Sequence, residues 1–119
     1  MTFKAVLAVI PVQEIASASQ WYESFFGRPA DQRPMDGLVE WHLSELGVVQ
    51  VFQDPDRAGR TSVNFTVDDL DAALATLSAA GINTTDAQVV FNGSQRLATT
   101  TDADGNTLGL LQTVLDDTQ

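Results

Sequence analysis

At 119 residues and 44% hydrophobic content, the chain fits one domain with a modest core. It holds no cysteine, which excludes disulfides, thiolate metal sites and cysteine nucleophiles. A net charge of −10 leaves no basic footprint for nucleic acid; it serves solubility and permits a cationic ligand. No apolar run reaches membrane-spanning length, and the first residues show no signal-peptide pattern, so a soluble cytoplasmic protein without a membrane partner is expected.

The elements read in order as follows. Ala5 to Val12 is a continuous apolar run, expected as a strand buried on both faces. From Glu14 to Phe26 the spacing of Ile15, Ala18, Tyr22 and Phe25 predicts a helix, stopped by Gly27 and Pro29. Ala30 to Met35 contains Pro34 and allows at most an edge strand. Leu38 to Ser44 alternates, with Val39, Trp41 and Leu43 on one face and Glu40 and His42 on the other. Gly47 marks a turn, Val48 to Gln53 is a further strand, and the polar stretch Asp54 to Arg60 is a connector. Thr61 to Val67 alternates again, setting Val63, Phe65 and Val67 against Ser62, Asn64 and Thr66. Asp68 is expected as the N-cap of a second helix, with Asp69 and Asp71 in its first turn. Leu70, Ala73, Leu74 and Leu77 form its buried stripe, and Gly81 closes it. Gln88 to Phe91, Gln95 to Thr101 and Thr107 to Thr113 read as strands, with turns at Asn92-Gly93 and Asp104-Gly105. The acidic tail after Val114 is expected to fray.

Strand, helix and three strands thus occur twice, and the two copies start half a chain apart at Val12 and Val67. The expected fold is α+β: one domain over residues 1–119, with βαβββ modules at about 3–53 and 61–113. With a helix on one face of each sheet, alternation turns the polar residues to the opposite face. The helix-free faces of a curved mixed sheet are expected to line a cup, the default place for a ligand.

Three segments carry a resemblance in the right order. They are Val12-x-Glu14 with Ala18-x-x-Trp21-Tyr22 and Gly27, then Val67-Asp68-Asp69-Leu70-Asp71-Ala72-Ala73 to Gly81, then Asp102-Ala103-Asp104-Gly105-Asn106. Together they resemble the vicinal oxygen chelate superfamily, which contains glyoxalase I, extradiol dioxygenases, fosfomycin-resistance enzymes and bleomycin-resistance binding proteins. The resemblance implies metal-ligand positions that fall here on Leu7, Gln50, Ser62 and Gly109. Leucine and glycine offer no side-chain donor, and one amide with one hydroxyl makes no transition-metal site. No metal and no cofactor are therefore expected, which argues against the family's metal-dependent chemistry.

The resemblance then points to a metal-independent small-molecule binding protein of the bleomycin-resistance type. Two other readings stand beside it: an isomerase, lyase or dioxygenase with a non-standard site, and a module kept for protein contact. The ligand contacts expected are Gln50, Phe52, Ser62 and Asn64, with Glu40 and His42 near the mouth of the cup. Gln50 and Ser62 stand at the implied ligand positions, and Phe52 and Asn64 share their faces by parity. His42 is the only histidine, so it is either half of a Glu–His base or part of a solvated rim. Trp41 is expected in the core. Arg96 is either a carboxylate binder or an exposed hairpin residue, and Asp102 to Asn106 is a turn rather than a calcium loop. The expected partners are a cationic or aromatic organic molecule and a second copy of the chain in a homodimer.

Overall fold

The computed structural model describes residues 1–114, and the acidic tail lies outside the described residues. Two compact units are present. The first comprises residues 1–61 with 102–106, and the second comprises residues 62–101 with the described residues 107–114.

The first unit contains β1 (Val6–Val12), α1 (Ile15–Phe26), β2 (Gln32–Met35), β3 (Leu38–His42) and β4 (Gly47–Gln53). Its sheet has the order β1-β4-β3-β2, with β1 parallel to β4 and the other pairs antiparallel. The second unit repeats this with β5 (Ser62–Thr66), α2 (Leu70–Ala79), β6 (Gln88–Val90), β7 (Gln95–Thr101) and β8 (Thr107–Thr113), in the order β5-β8-β7-β6. The fold is α+β with two βαβββ modules. Among the described residues, no helix is long and apolar enough to cross a membrane.

Each helix covers one face of its sheet, and the cores follow from the expected stripes. In the first unit Ile10, Val12, Tyr22, Val39, Trp41 and Val51 are fully buried. Trp41 belongs to this core: its ring lies 5.1 Å from that of Phe26, and its Nε1–H donates to the Arg28 carbonyl at 3.0 Å. In the second unit Leu70, Leu77, Ala98, Leu108 and Leu110 are buried.

Several local expectations need correction. β1 is buried at its C-terminal end only: Ile10, Pro11 and Val12 are buried while Val6, Leu7 and Val9 are exposed. It is the edge strand of its sheet, and α1 packs over β4 and β3 beside it. Leu43 lies outside β3 and is exposed, because the amides of Leu43 and Ser44 turn back to the Gly47 carbonyl and swing it out. The cap of α2 is Asp69, not Asp68: its carboxylate accepts from the Ala72 amide at 3.0 Å. α1 starts without a side-chain cap of its own, since Gln53 Oε1 accepts from the Ile15 amide at 3.0 Å. Gly27 ends that helix with φ 77°, a left-handed conformation in which its N–H reaches the Glu23 carbonyl.

The Asp102–Asn106 turn packs into the first unit through a buried network. Asp102 Oδ1 accepts from the amides of Asp104 and Asn106, and Oδ2 accepts from Tyr22 Oη at 2.6 Å and Asn106 Nδ2 at 2.9 Å. Asn106 Nδ2 also donates to the Pro11 carbonyl, and its Oδ1 accepts from the Thr61 amide. With these partners the Asp102 carboxylate is consumed in structure, as the turn reading requires. Burial, then the hydrogen bond and charge of Asp102, push the Tyr22 hydroxyl far above the ordinary tyrosine range, so it stays a donor.

Candidate functional site

Pairing register decides what the helix-free face of the first sheet presents. Across β1, β4 and β3 the central row is Val9, Gln50 and Glu40, and Gln32 of β2 pairs with Glu40 beyond it. One flanking row is Pro11, Phe52 and Leu38; the other is Leu7, Val48 and His42. Glu40 and Gln50 therefore stand side by side between two largely apolar rows.

Their side chains are joined. Gln50 Nε2 donates to Glu40 Oε2 at 2.5 Å, and His42 Nε2 lies 3.1 Å from Glu40 Oε1. The Glu40 side chain is 12% exposed and that of His42 41%, so the carboxylate sits in the face and the imidazole at its edge. The hydrogen bond from Gln50, then that from His42, hold the Glu40 carboxyl below the usual carboxylate range.

Two further residues position this group, and sequence reasoning did not single them out. Asp31 Oδ2 accepts from the His42 amide at 2.6 Å, and Arg28 donates to the His42 carbonyl. Arg28 and Asp31 also form an ion pair of 3.2 Å, so the backbone of His42 is clamped on both sides. Their three-residue spacing was visible in the sequence, but the strand they clamp was not.

Four of the six expected contacts, Glu40, His42, Gln50 and Phe52, thus share one face, and three of them form a hydrogen-bonded group. Ser62 and Asn64 are exposed on the helix-free face of the second unit's sheet. Among the described residues, neither of these two side chains is hydrogen-bonded. Arg96 binds a carboxylate of its own unit, meeting Asp71 at 3.0 and 3.4 Å on the helix side of the sheet. Shallow grooves of about 590 Å³ at the end of α1 and about 380 Å³ beside β8 contain none of the six residues.

The four positions implied for a metal do not fit one. Leu7 has no donor, and the Gln50 amide is already engaged by Glu40. Gly109 lies beside Asn64 in the sheet, and a side-chain carbon built on it would stand 2.1 Å from Asn64 Oδ1. The space for a carboxylate stem at 109 is thus taken by an amide. Among the described residues, no three histidine, cysteine or acidic side chains converge in a way that could hold a metal ion.

No protein-family model matches the chain, and no curated protein matches it by sequence. Solved structures do. A glyoxalase/bleomycin resistance protein from Catenulispora acidiphila DSM 44928 is 26% identical with a TM-score of 0.85, over 93% of this chain and 99% of that chain. A bleomycin-binding protein complexed with bleomycin is 22% identical with a TM-score of 0.77, over 95% of this chain and 100% of that chain. TnmS3, an antibiotic binding protein from Streptomyces sp. CB03234, is 21% identical with a TM-score of 0.75, over 92% of this chain and 95% of that chain.

Proposed function

We propose that this chain, whose fold is that of the vicinal oxygen chelate superfamily, is a metal-independent binding protein for a small organic molecule, cationic or aromatic, of the bleomycin-resistance type. The observation that carries the reading is Glu40, a carboxylate fixed by Gln50 and His42 between apolar rows of an open sheet face. A fixed anion in an apolar frame attracts a cation with an apolar body, and Phe52 offers a ring to stack on. The poor donor set at Leu7, Gln50, Ser62 and Gly109 supports binding without a metal. Ser62 and Asn64 are proposed as polar contacts on the face of their own sheet.

The test is a thermal-shift screen of aromatic and cationic compounds, since a ligand of the folded state raises the melting temperature by mass action. A hit is then titrated against a Gln50→Ala, Phe52→Ala double variant shown to be folded. Unchanged affinity would place the site elsewhere and favour a module for protein contact. Elemental analysis of protein purified without chelator is expected to show no stoichiometric transition metal.

One contact favours a second reading. The 3.1 Å approach of His42 to Glu40 is the pair a general base would use in an isomerase, lyase or dioxygenase with a non-standard site. Recovery of the bound ligand unchanged after long incubation rules that out. The proposal includes a cytoplasmic location and a homodimer, the latter supported by exposed Phe3 ahead of the edge strand β1 and exposed Val6 at its start; light scattering measures the mass.

A further inference from the structure

We infer that the open face of the first sheet selects protic organic cations, meaning ammonium, amidinium or guanidinium groups that carry N–H donors, over quaternary cations of the same charge. The inference rests on the binding function proposed above for the same face. It follows from which hydrogens the cluster has already committed.

Glu40 is ionised and can only accept hydrogen bonds. Gln50 must therefore turn its Nε2 toward Oε2, which leaves the amide oxygen facing away. His42 must likewise present a protonated Nε2 to Oε1, so whenever the ring is neutral its Nδ1 is bare. Among the described residues, neither Gln50 Oε1 nor His42 Nδ1 receives a hydrogen bond. The group thus offers outward the remaining lone pairs of the carboxylate, an amide oxygen and an imidazole nitrogen. Its one uncommitted donor is the second hydrogen of the Gln50 amide.

A ligand that displaces water from these acceptors must replace the water's hydrogens or lose affinity. An ammonium or amidinium does so and brings the matching charge. A trimethylammonium brings the charge without the hydrogens, and an alcohol brings a hydrogen without the charge. The flanking rows bear on the rest of the ligand: Phe52 and Leu38 on one side and Leu7 and Val48 on the other favour an aromatic or aliphatic arm over a second charge.

The experiment uses the full chain, and its single histidine serves as an internal probe. Nitrogen-15 NMR of the free protein, at a pH where the ring is neutral, is expected to show the Nε2–H tautomer. Phenethylamine, its N,N,N-trimethyl derivative and phenethyl alcohol are then titrated. The amine is expected to bind about tenfold or more tightly than either analogue, the worth of a hydrogen bond to a charged group, and to shift the His42 ring signals. Glu40→Gln is expected to abolish that preference. If the variant does not fold, the tautomer and the three titrations on the unaltered chain decide. An Nδ1–H tautomer, equal binding of the amine and either analogue, or a preference that survives in Glu40→Gln overturns the inference. So does failure of all three compounds to bind while the screen yields a ligand lost in the Gln50→Ala, Phe52→Ala variant. In that last case, and where alcohol and amine bind alike, the binding function stands and only the selectivity falls.

Discussion

Asn106→Ala should be among the most damaging single changes in the first unit. The residue is wholly buried, and truncation removes three side-chain hydrogen bonds together: to the Pro11 carbonyl, to Asp102 Oδ2 and from the Thr61 amide. Each is worth about 1 kcal/mol net, and the bond to Asp102 more because its partner is a carboxylate. The Pro11 carbonyl and Thr61 amide also lose the partner that Asn106 supplied. The expected loss is about 3–5 kcal/mol, a large part of the total stability of a domain this size. Urea unfolding should show a lower midpoint with an unchanged slope. Asn106→Asp sharpens the argument. It keeps the acceptor for Thr61 but puts a second carboxylate where the amide nitrogen now lies 2.9 Å from Asp102. Repulsion replaces a hydrogen bond, so this nearly isosteric variant should be no more stable than the alanine variant at pH 7. A loss below about 1 kcal/mol for Asn106→Ala, or near-normal stability of Asn106→Asp, would refute the network as a stabilising element.

Other outcomes follow from the same geometry. Leu70→Ala should cost about 2–5 kcal/mol and Leu74→Ala less, because Leu70 is inaccessible while Leu74 is only partly covered; equal losses in urea unfolding would contradict the helix phase. Tyr22 is the only tyrosine, and its raised value means that its contribution is complete below about pH 10 and is lost as pH rises above that; phenolate absorbance should appear only with unfolding. Glu40 is shifted the other way, so its contribution is present above about pH 4.3 and is lost as pH falls through its lower folded value; Glu40→Gln should flatten the acid limb of the stability profile. Gly109→Ala should displace the exposed, unbonded Asn64 amide at little cost in stability, seen as a moved Asn64 side-chain NMR signal, and an unmoved signal would count against the contact.

The repeat was legible because each module writes its own local signals. The apolar stripe of α1, the alternation of Ser62 to Thr66 and the turn at Asn92-Gly93 are all properties of a few adjacent residues. There the chain takes positive φ at Phe91 (53°), Asn92 (56°) and Gly93 (86°), so the turn is a four-residue loop between the paired Val90 and Gln95. What could not be read was whatever depends on a partner far away in sequence. Tyr22 and Asp102 are 80 positions apart, so Asp102 reads as a turn residue and nothing local says that it anchors a helix. β1 read as doubly buried because an apolar run does not say whether its strand is central or at an edge. Parity placed Glu40 with His42 and Gln50 with Phe52, but only the β3–β4 register sets Glu40 opposite Gln50. The sequence points to Asp68 rather than Asp69 as the cap because three aspartates compete within four positions, and geometry alone selects the one that reaches the Ala72 amide.

That register also explains why residue 50 is an amide. Glu40 and Gln50 are direct partners across the β3–β4 pair, where opposed side chains lie closest. A carboxylate at 50 would face the Glu40 carboxylate, and like charges directly opposite are tolerated only with a cation between them or a proton on one of them. An amide of the same length removes the conflict and turns it into a donor–acceptor pair of 2.5 Å. Glu40 then needs no counter-ion from outside the chain: Gln50 and His42 supply its hydrogen bonds, and Asp31 and Arg28 hold His42 in place to do so. Gln50→Glu isolates this point. It should raise the protonation range of the pair and weaken the clamp on His42, and an added divalent cation should restore part of the lost stability. No stabilisation by any divalent cation in that variant would mean that the two side chains at 40 and 50 move apart freely, and that their pairing does not set the electrostatics of the face.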